Sequence, residues 1–344
     1  MSSSDHRARL GLLAYNLPAA TAIGLAQTAE RSGFDSVWLP EDLWDRGAVP
    51  LAAACVQATT TLRVGIGVLN PFNRHPTQIA VDYGTLAELS GGRVAIGIGA
   101  GVEAWVTKMG LEYSRPRTAV AETVRIVREL LAGRTCTFAG SVFRVDDVCL
   151  NFPVADPPPI LIGATRERSL RTCGAIADGW IASVVEPVAR IERGIRLIGE
   201  GAAEAGRALR GFEVVQFIHL SCHEDSAEAR ARIKPALAHS LRGEIGLLAT
   251  GRLEQGRRDY LAQVTPDEYE RVLQRLSDGE RPEDAIPDEL VDELAVAGTP
   301  AECAARIEKY RRIGVTEFAF VAGTDELLRS VELMSRSLDA KSSR

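Results

Sequence analysis

GIGVLNPFNRHPTQIA, Gly65 to Ala80, joins a β-branched run to the start of a helix. Two prolines, two asparagines, an arginine and a histidine crowd into the join. The run that feeds it, RVGIGVL (63–69), is continuously apolar rather than alternating, the pattern of a parallel strand buried on both faces. A plain turn needs none of this polar chemistry, so the end of the strand is a candidate site.

Outward from this stretch the same pattern repeats. Further strands are predicted at LGLLAY (10–15), FDSVWL (34–39), RVAIGIG (93–99), PILIG (159–163), DGWIAS (178–183), FEVVQFIHL (212–220) and TEFAFV (316–321). Helical stretches separate them. Val120, Val124, Val127 and Leu131 share one helix face before Gly133. Ile79, Tyr83, Leu86 and Leu89 do the same before Gly91-Gly92. GTPAEC starts a third helix, with Thr299 as N-cap, Pro300 in the first helical position and Glu302 closing a capping box. Cys303, Ile307 and Tyr310 form its inner face, and Gly314 ends it. Eight strand–helix units predict an α/β fold, a (β/α)8 TIM barrel, with a doubly wound sheet as the alternative.

Two segments interrupt the alternation within this single expected domain. Residues 135–158 suit a hairpin or loop excursion. Residues 243–297 are charged and helical, with a second capping box in TPDE (Thr265–Glu268), and suit an inserted cap.

The 344 residues are 46% hydrophobic and 25% charged, with a formal net charge of −6, which gives no basic footprint for nucleic acid. No apolar run approaches the ~18 residues of a membrane span. The six cysteines form no C-x-x-C pair, and MSSSDHRA is no signal segment, so a cytoplasmic protein with reduced thiols is expected.

In a barrel the site lies where the strands end. The first ends in YNLP (Tyr15–Pro18), and the second in WLPEDLWDR, placing Trp38, Glu41, Asp42 and Trp44 at the mouth. The fourth ends in GIGAGVEAW, with Gly97, Gly99 and Gly101 followed by Glu103. GAGVEA satisfies the dinucleotide pattern G-x-G-x-x-A, but on the fourth unit and with no acidic residue closing the next strand. Glycines that admit a flat ring to the backbone are the alternative. The fifth strand runs into GATRERS, where Gly163, Ala164, Thr165 and Arg166 suit either an anion site at a helix N-terminus or an ordinary turn. HLSCH offers His219, Cys222 and His223 as metal ligands, without an evident fourth, and no metal is assigned.

GFDSVWLPED, VLNPFNRHPTQIA, LSGGRVAIGIGAG and PPPILIGATRERSLRTCGAIADGWIAS, with GTPAECAARIEKYRRIGVTEF near the end, together resemble the luciferase-like flavin and deazaflavin enzymes. The similarity is greatest to the methylenetetrahydromethanopterin reductase branch, which uses the deazaflavin F420. That resemblance implies a TIM barrel with the tricyclic ring across the strand ends, leaning on a bulge with a non-prolyl cis peptide that maps onto Gly67-Val68. It further implies cofactor contacts at Asn16, Glu41, Gly67, Val68, Asn70, Gly99 and Gly101. The cofactor phosphate is expected at Gly163, Ala164, Thr165 and Arg166.

Catalytic candidates are Glu103, then Asp42 and His75. Sugar-phosphate dehydrogenase relatives carry a carboxylate directly after the third glycine, where this chain has Val102, and end their second strand in Asp-His, where it has Glu41 and Asp42. Their substrate is therefore not transferred. The expected activity is F420-dependent hydride transfer to or from a small organic molecule in a homodimer or larger homo-oligomer. The alternatives are an FMN-dependent monooxygenase served by a separate reductase, and a non-catalytic flavin- or deazaflavin-binding protein.

Overall fold

The computed structural model describes residues 7–42, 44–249, 267–321 and 326–334. They form two compact units, Met1–Ala182 with Arg196–Val215, and Ser183–Ile195 with Gln216 onward.

The first unit holds β1 (Arg9–Leu13), β2 (Ser36–Leu39), β3 (Arg63–Leu69), β4 (Val94–Gly99), β7 (Ile160–Gly163) and β8 (Gly179–Ala182), all parallel and in that spatial order. The excursion between β4 and β7 supplies β5 (Cys136–Ala139) and β6 (Arg144–Val148). The order never reverses, whereas a doubly wound sheet switches direction at its centre. With β9 (Glu213–Cys222) and β11 (Glu317–Val321), both followed by helices, the fold is a (β/α)8 barrel.

Local chemistry explains the helices of this unit. α1 (Ala19–Arg31) and α2 (Ala48–Ala58) follow β1 and β2. α3 (Pro76–Ser90) has proline in its first turn, the His75 ring accepting from the Thr77 N–H, and Gly91 at φ +61° as its stop. Between β4 and β7 run α4 (Glu103–Lys108) and α5 (Pro116–Leu131), and the latter buries Val120, Val124, Val127 and Leu131. β5 and β6 then pair antiparallel as a hairpin. Glu122 of α5 fastens that hairpin, its carboxylate accepting the N–H groups of Ser141 (2.6 Å), Val142 (3.0 Å) and Phe143 (2.8 Å). α6 (Glu167–Ile176) follows β7, and α7 (Val188–Glu204), of which only the part from Arg196 belongs to this unit, follows β8.

In the second unit β10 (Ala295–Gly298) pairs parallel with β9. α8 (Ser226–Ala249), α9 (Asp267–Ser277), α10 (Pro282–Ala285) and α11 (Asp288–Leu294) lie between the two strands in sequence. Leu237 and Leu241 pack with Val272, Leu276, Leu290 and Leu294 in one core. α12 (Pro300–Ile313) begins with the predicted capping box, complete in both directions at Thr299 and Glu302.

Three expectations need correction or fall away. Leu89 is 45% exposed, because the packed face of α3 carries Ile79, Tyr83 and Leu86 without it. The cap region 243–297 contributes a strand as well as helices, since Ala295, Val296 and Ala297 are three of the four residues of β10. Thr265 and Pro266 of the TPDE capping box, and the first six residues, lie outside the described residues.

Candidate active site

Trp38 does not stand at a mouth. It is fully buried, with its ring where a Cβ on Gly65 would sit (2.3 Å), and the Arg63 guanidinium lies 5.8 Å from the ring centre. A strand apolar on both faces offers no sequence signal for which side a given residue takes.

β3 runs in register with β4 as far as Ile66 opposite Ile96, and resumes with Leu69 opposite Ile98. One extra residue is therefore accommodated, a bulge, and the Gly67–Val68 peptide within it is cis, as the resemblance implied. Gly67 and Val68 are partly exposed between the buried residues Val64–Ile66 and the buried Leu69.

The Val68 isopropyl group is bedded on three glycines. A Cβ on Gly97, Gly99 or Gly163 would lie 2.9, 2.4 or 2.8 Å from its methyl carbons. The glycines on β4 and β7 thus make room for Val68 instead of leaving bare backbone open to a ring. Gly101, at φ +68°, does the same for Asn70, whose amide nitrogen stands 2.0 Å from where a Cβ would be. Asn70 is buried and accepts the Phe72 N–H at 2.8 Å. Phe72 packs on Tyr113, with ring centres 4.7 Å apart.

The β2 end supplies the carboxylates. One Glu41 oxygen accepts the Ala48 N–H at the start of α2 (2.6 Å), and the other meets Arg74 (3.2 Å). Glu41 is thereby a clamp between two loops. Asp42 differs. Burial, with Asp45 and Glu41 as like-charged neighbours, raises its pKa above the ordinary carboxylate range. Tyr15 is raised as well, by burial and then by Asp42 and Asp45. Asn16 stands beside it at φ +51°, with the Arg46 guanidinium 3.4 Å from its side-chain oxygen.

His75 serves the start of α3. Its Nδ1 accepts the Thr77 N–H (3.3 Å) and lies 2.8 Å from the Thr77 hydroxyl, while its ring meets Phe143 of the hairpin edge-on at 5.6 Å. Burial lowers its pKa, which suits a neutral ring with Nδ1 as acceptor. Glu103 is the first residue of α4 and is half-buried.

After β7, Gly163, Ala164, Thr165 and Arg166 form the approach to α6, with Arg166 as its N-cap residue. Trp180 of β8 fixes this loop, its indole N–H donating to the Ala164 carbonyl at 2.8 Å. Thr165 is half-buried and Arg166 exposed. A hydroxyl, a guanidinium and a helix N-terminus are the donor types that an anion takes.

Sequence reasoning missed three contributors. Trp180 carried a signal, as the single ring in an otherwise small-residue strand. Arg74, which ties Glu41 to Asp82, and Asp45, which raises Asp42, stood in quoted motifs without a role. Among the described residues, no cluster of three or more His, Cys, Asp or Glu could hold a metal ion.

The luciferase-like monooxygenase family model matches residues 2–317. The chain is 28% identical over 301 residues to a 5,10-methylenetetrahydromethanopterin reductase of Methanolobus tindarius, covering 87% of this chain and 88% of the relative. It is 32% identical over 218 residues to an F420-dependent glucose-6-phosphate dehydrogenase of Nakamurella multipartita, covering 60% and 64%. In fold it resembles the coenzyme F420 dependent tetrahydromethanopterin reductase from Methanopyrus kandleri, with a TM-score of 0.82 at 22% identity over 96% of this chain and 98% of that one. The chain belongs to the luciferase-like monooxygenase family.

Proposed function

We propose that this protein is an oxidoreductase that uses coenzyme F420 to move a hydride to or from a small organic substrate. The observation that carries the reading is the β3 bulge, with Val68 bedded on Gly97, Gly99 and Gly163, at the place where the resemblance puts a deazaflavin ring. Relatives named for methylenetetrahydromethanopterin reduction and for F420-dependent dehydrogenation support it.

The residues present suit such a group. Gly67 and Val68 offer a partly exposed backbone and an isopropyl surface for one face of a planar ring. Thr165 and Arg166, at the start of α6, offer donors for an anionic tail, and Trp180 holds their loop in place. When bound, the deazaflavin supplies a carbon that gives or accepts hydride and reacts poorly with oxygen.

The rest falls to the chain. Glu41, clamped by Ala48 and Arg74, holds the β2 loop beside the β3 loop. Asp42, with its raised pKa, holds a proton for the substrate at its carboxyl oxygen, or takes one in the reverse direction. Its protonated fraction falls as pH rises through that raised value, so turnover that needs the acid persists above the usual carboxylate range and then declines. Glu103 is the second proton carrier in this reading. His75, occupied at Nδ1, positions the loop. The assignment includes a small-molecule substrate, a cytoplasmic setting and a homodimer or larger homo-oligomer. No helix among the described residues is long and apolar enough to cross a membrane.

The test is anaerobic turnover. Reduced F420 is mixed with the protein and a panel of imines and enones, and oxidised F420 with alcohols, while deazaflavin absorbance is followed. Reoxidation or reduction with at least one substrate is expected. Saturable binding with no turnover on any compound would make this a binding protein. Oxygen-dependent product formation with reduced FMN alone would make it a monooxygenase.

A further inference from the structure

The second unit holds a group of side chains that hydride transfer does not use. β9 ends at Cys222, and Cys303 lies in the first turn of α12, both buried. The β9–β10 register sets Gly298 opposite Cys222, and the Cys303 sulfur stands 3.5 Å from the Gly298 carbonyl oxygen. Two residues 81 positions apart in sequence are thus brought together by a strand pairing and a helix start. The Cys303 thiol donates to the Gly298 carbonyl and stands within interaction range of the Cys222 sulfur. The neighbouring sulfurs hold the Cys222 thiol below its ordinary value and raise that of Cys303. Cys55 shows the contrast, since burial alone pushes it up to about 11.

A cavity of about 210 Å³ borders Cys222, walled also by His223, Glu224, Glu326, Arg329 and Glu332. Glu326 is anchored there, accepting from the Ser221 hydroxyl (2.9 Å) and from Arg232 (3.2 Å). Three carboxylates (Glu224, Glu326 and Glu332) against the guanidiniums of Arg329 and of Arg232, which is held on Glu326, leave the wall net acidic and disfavour an anionic oxidant such as a glutathione-type disulfide. The volume and charge suit a small neutral one.

We propose that Cys222 and Cys303 form a peroxide-responsive thiol pair, Cys222 meeting the oxidant through the cavity and Cys303 closing the disulfide. The Cys222 thiolate attacks one oxygen of hydrogen peroxide, the O–O bond breaks, and the departing hydroxide takes up the thiol proton as water. Cys222 is then a sulfenic acid. The Cys303 sulfur attacks that sulfur, the S–O bond breaks, and the hydroxyl leaves as a second water with the Cys303 proton. Two thiols are oxidised and one peroxide is reduced to two waters. The proposal does not rest on the hydride-transfer reading.

The experiment treats the full-length reduced protein with hydrogen peroxide, blocks remaining thiols and maps peptides without reduction. The expected result is a cross-linked Cys222–Cys303 peptide pair, two hydrogen atoms lighter than the reduced peptides together, reversed by dithiothreitol. Cys55 and Cys173 should remain blockable only after denaturation. In Cys303→Ser the link should vanish and a dimedone adduct appear at Cys222. The wild-type map stands without the variant. Unmodified Cys222 at a peroxide dose that oxidises the exposed Cys149 would overturn the proposal, as would sulfinic acid at Cys222 with Cys303 untouched.

Discussion

The two ends of the strands in the first unit are built from the same residue types and put them to opposite use. At the amino-terminal end every carboxylate named here is saturated. Glu213 receives Arg9 and Arg63. Asp35 accepts the Leu10 N–H (2.8 Å), and Asp178 accepts the Ile160 N–H (3.1 Å) as well as Arg128 and Arg207. Arg93 donates to the carbonyls of Leu62, Val56 and Thr59. At the carboxyl-terminal end Glu41 is locked, while Asp42 sits among like charges with a raised pKa. Paired charges make one end a scaffold. In the proposed reaction the other end uses an acid held against its own preference, the division expected of a barrel enzyme.

The widest separation between the ends should come from Asp42→Asn. Loss of a positioned acid–base group lowers the rate by about 10²–10⁴. The alkaline limb of the pH–rate profile should disappear, while the melting temperature stays level or rises because a like-charge neighbour of Asp45 and Glu41 has gone. Glu213→Gln should do the reverse. It replaces the carboxylate that receives Arg9 and Arg63 with a neutral amide at a part-buried position, which costs about 1–3 kcal/mol. Chemical denaturation measures that loss, and kcat in the folded protein should be unchanged.

Gly99→Ala sharpens the comparison from the site end. Its Cβ meets Val68 at 2.4 Å, an overpacking that costs about 1–3 kcal/mol and displaces the bulge, so stability and F420 affinity should fall together. Adding Val68→Ala should restore part of the stability, a coupling that a double-mutant cycle reads directly. The smallest effect belongs to Glu30, whose carboxylate accepts the N–H groups of Thr60, Thr61 and Leu62 and is held down to about 2. A lowered pKa stabilises the fold above the unfolded carboxylate value, and that contribution is lost as pH falls through about 2. Glu30→Gln should therefore cost about 1–2 kcal/mol at neutral pH, a penalty that shrinks as the pH falls through that window.

Much of this was legible in the residues. Continuous apolar runs marked all eight barrel strands, and NPFNRHP marked the strand end that carries the bulge. Gly67-Val68 was found by resemblance, not by periodicity. The purpose of Gly97, Gly99 and Gly163 was hidden, because it depends on a register shift that sends one valine across two neighbouring strands. Asp42, Asp45 and Glu41 sat together in one motif, yet the burial that turns their proximity into a raised pKa is a property of the folded chain. Trp38 was misplaced for the same reason, since its side of β2 is set by Gly65 across the pair. β10 escaped notice because AVAG is only four small residues between charged helices.

The measurement that bears most directly on the central claim is an anaerobic equilibrium titration of the purified protein with F420 and, separately, with FMN, followed by absorbance and fluorescence. Saturable F420 binding, weakened in Gly99→Ala and accompanied by no measurable affinity for FMN, is the predicted result. Tight FMN binding with no response to F420 would contradict it.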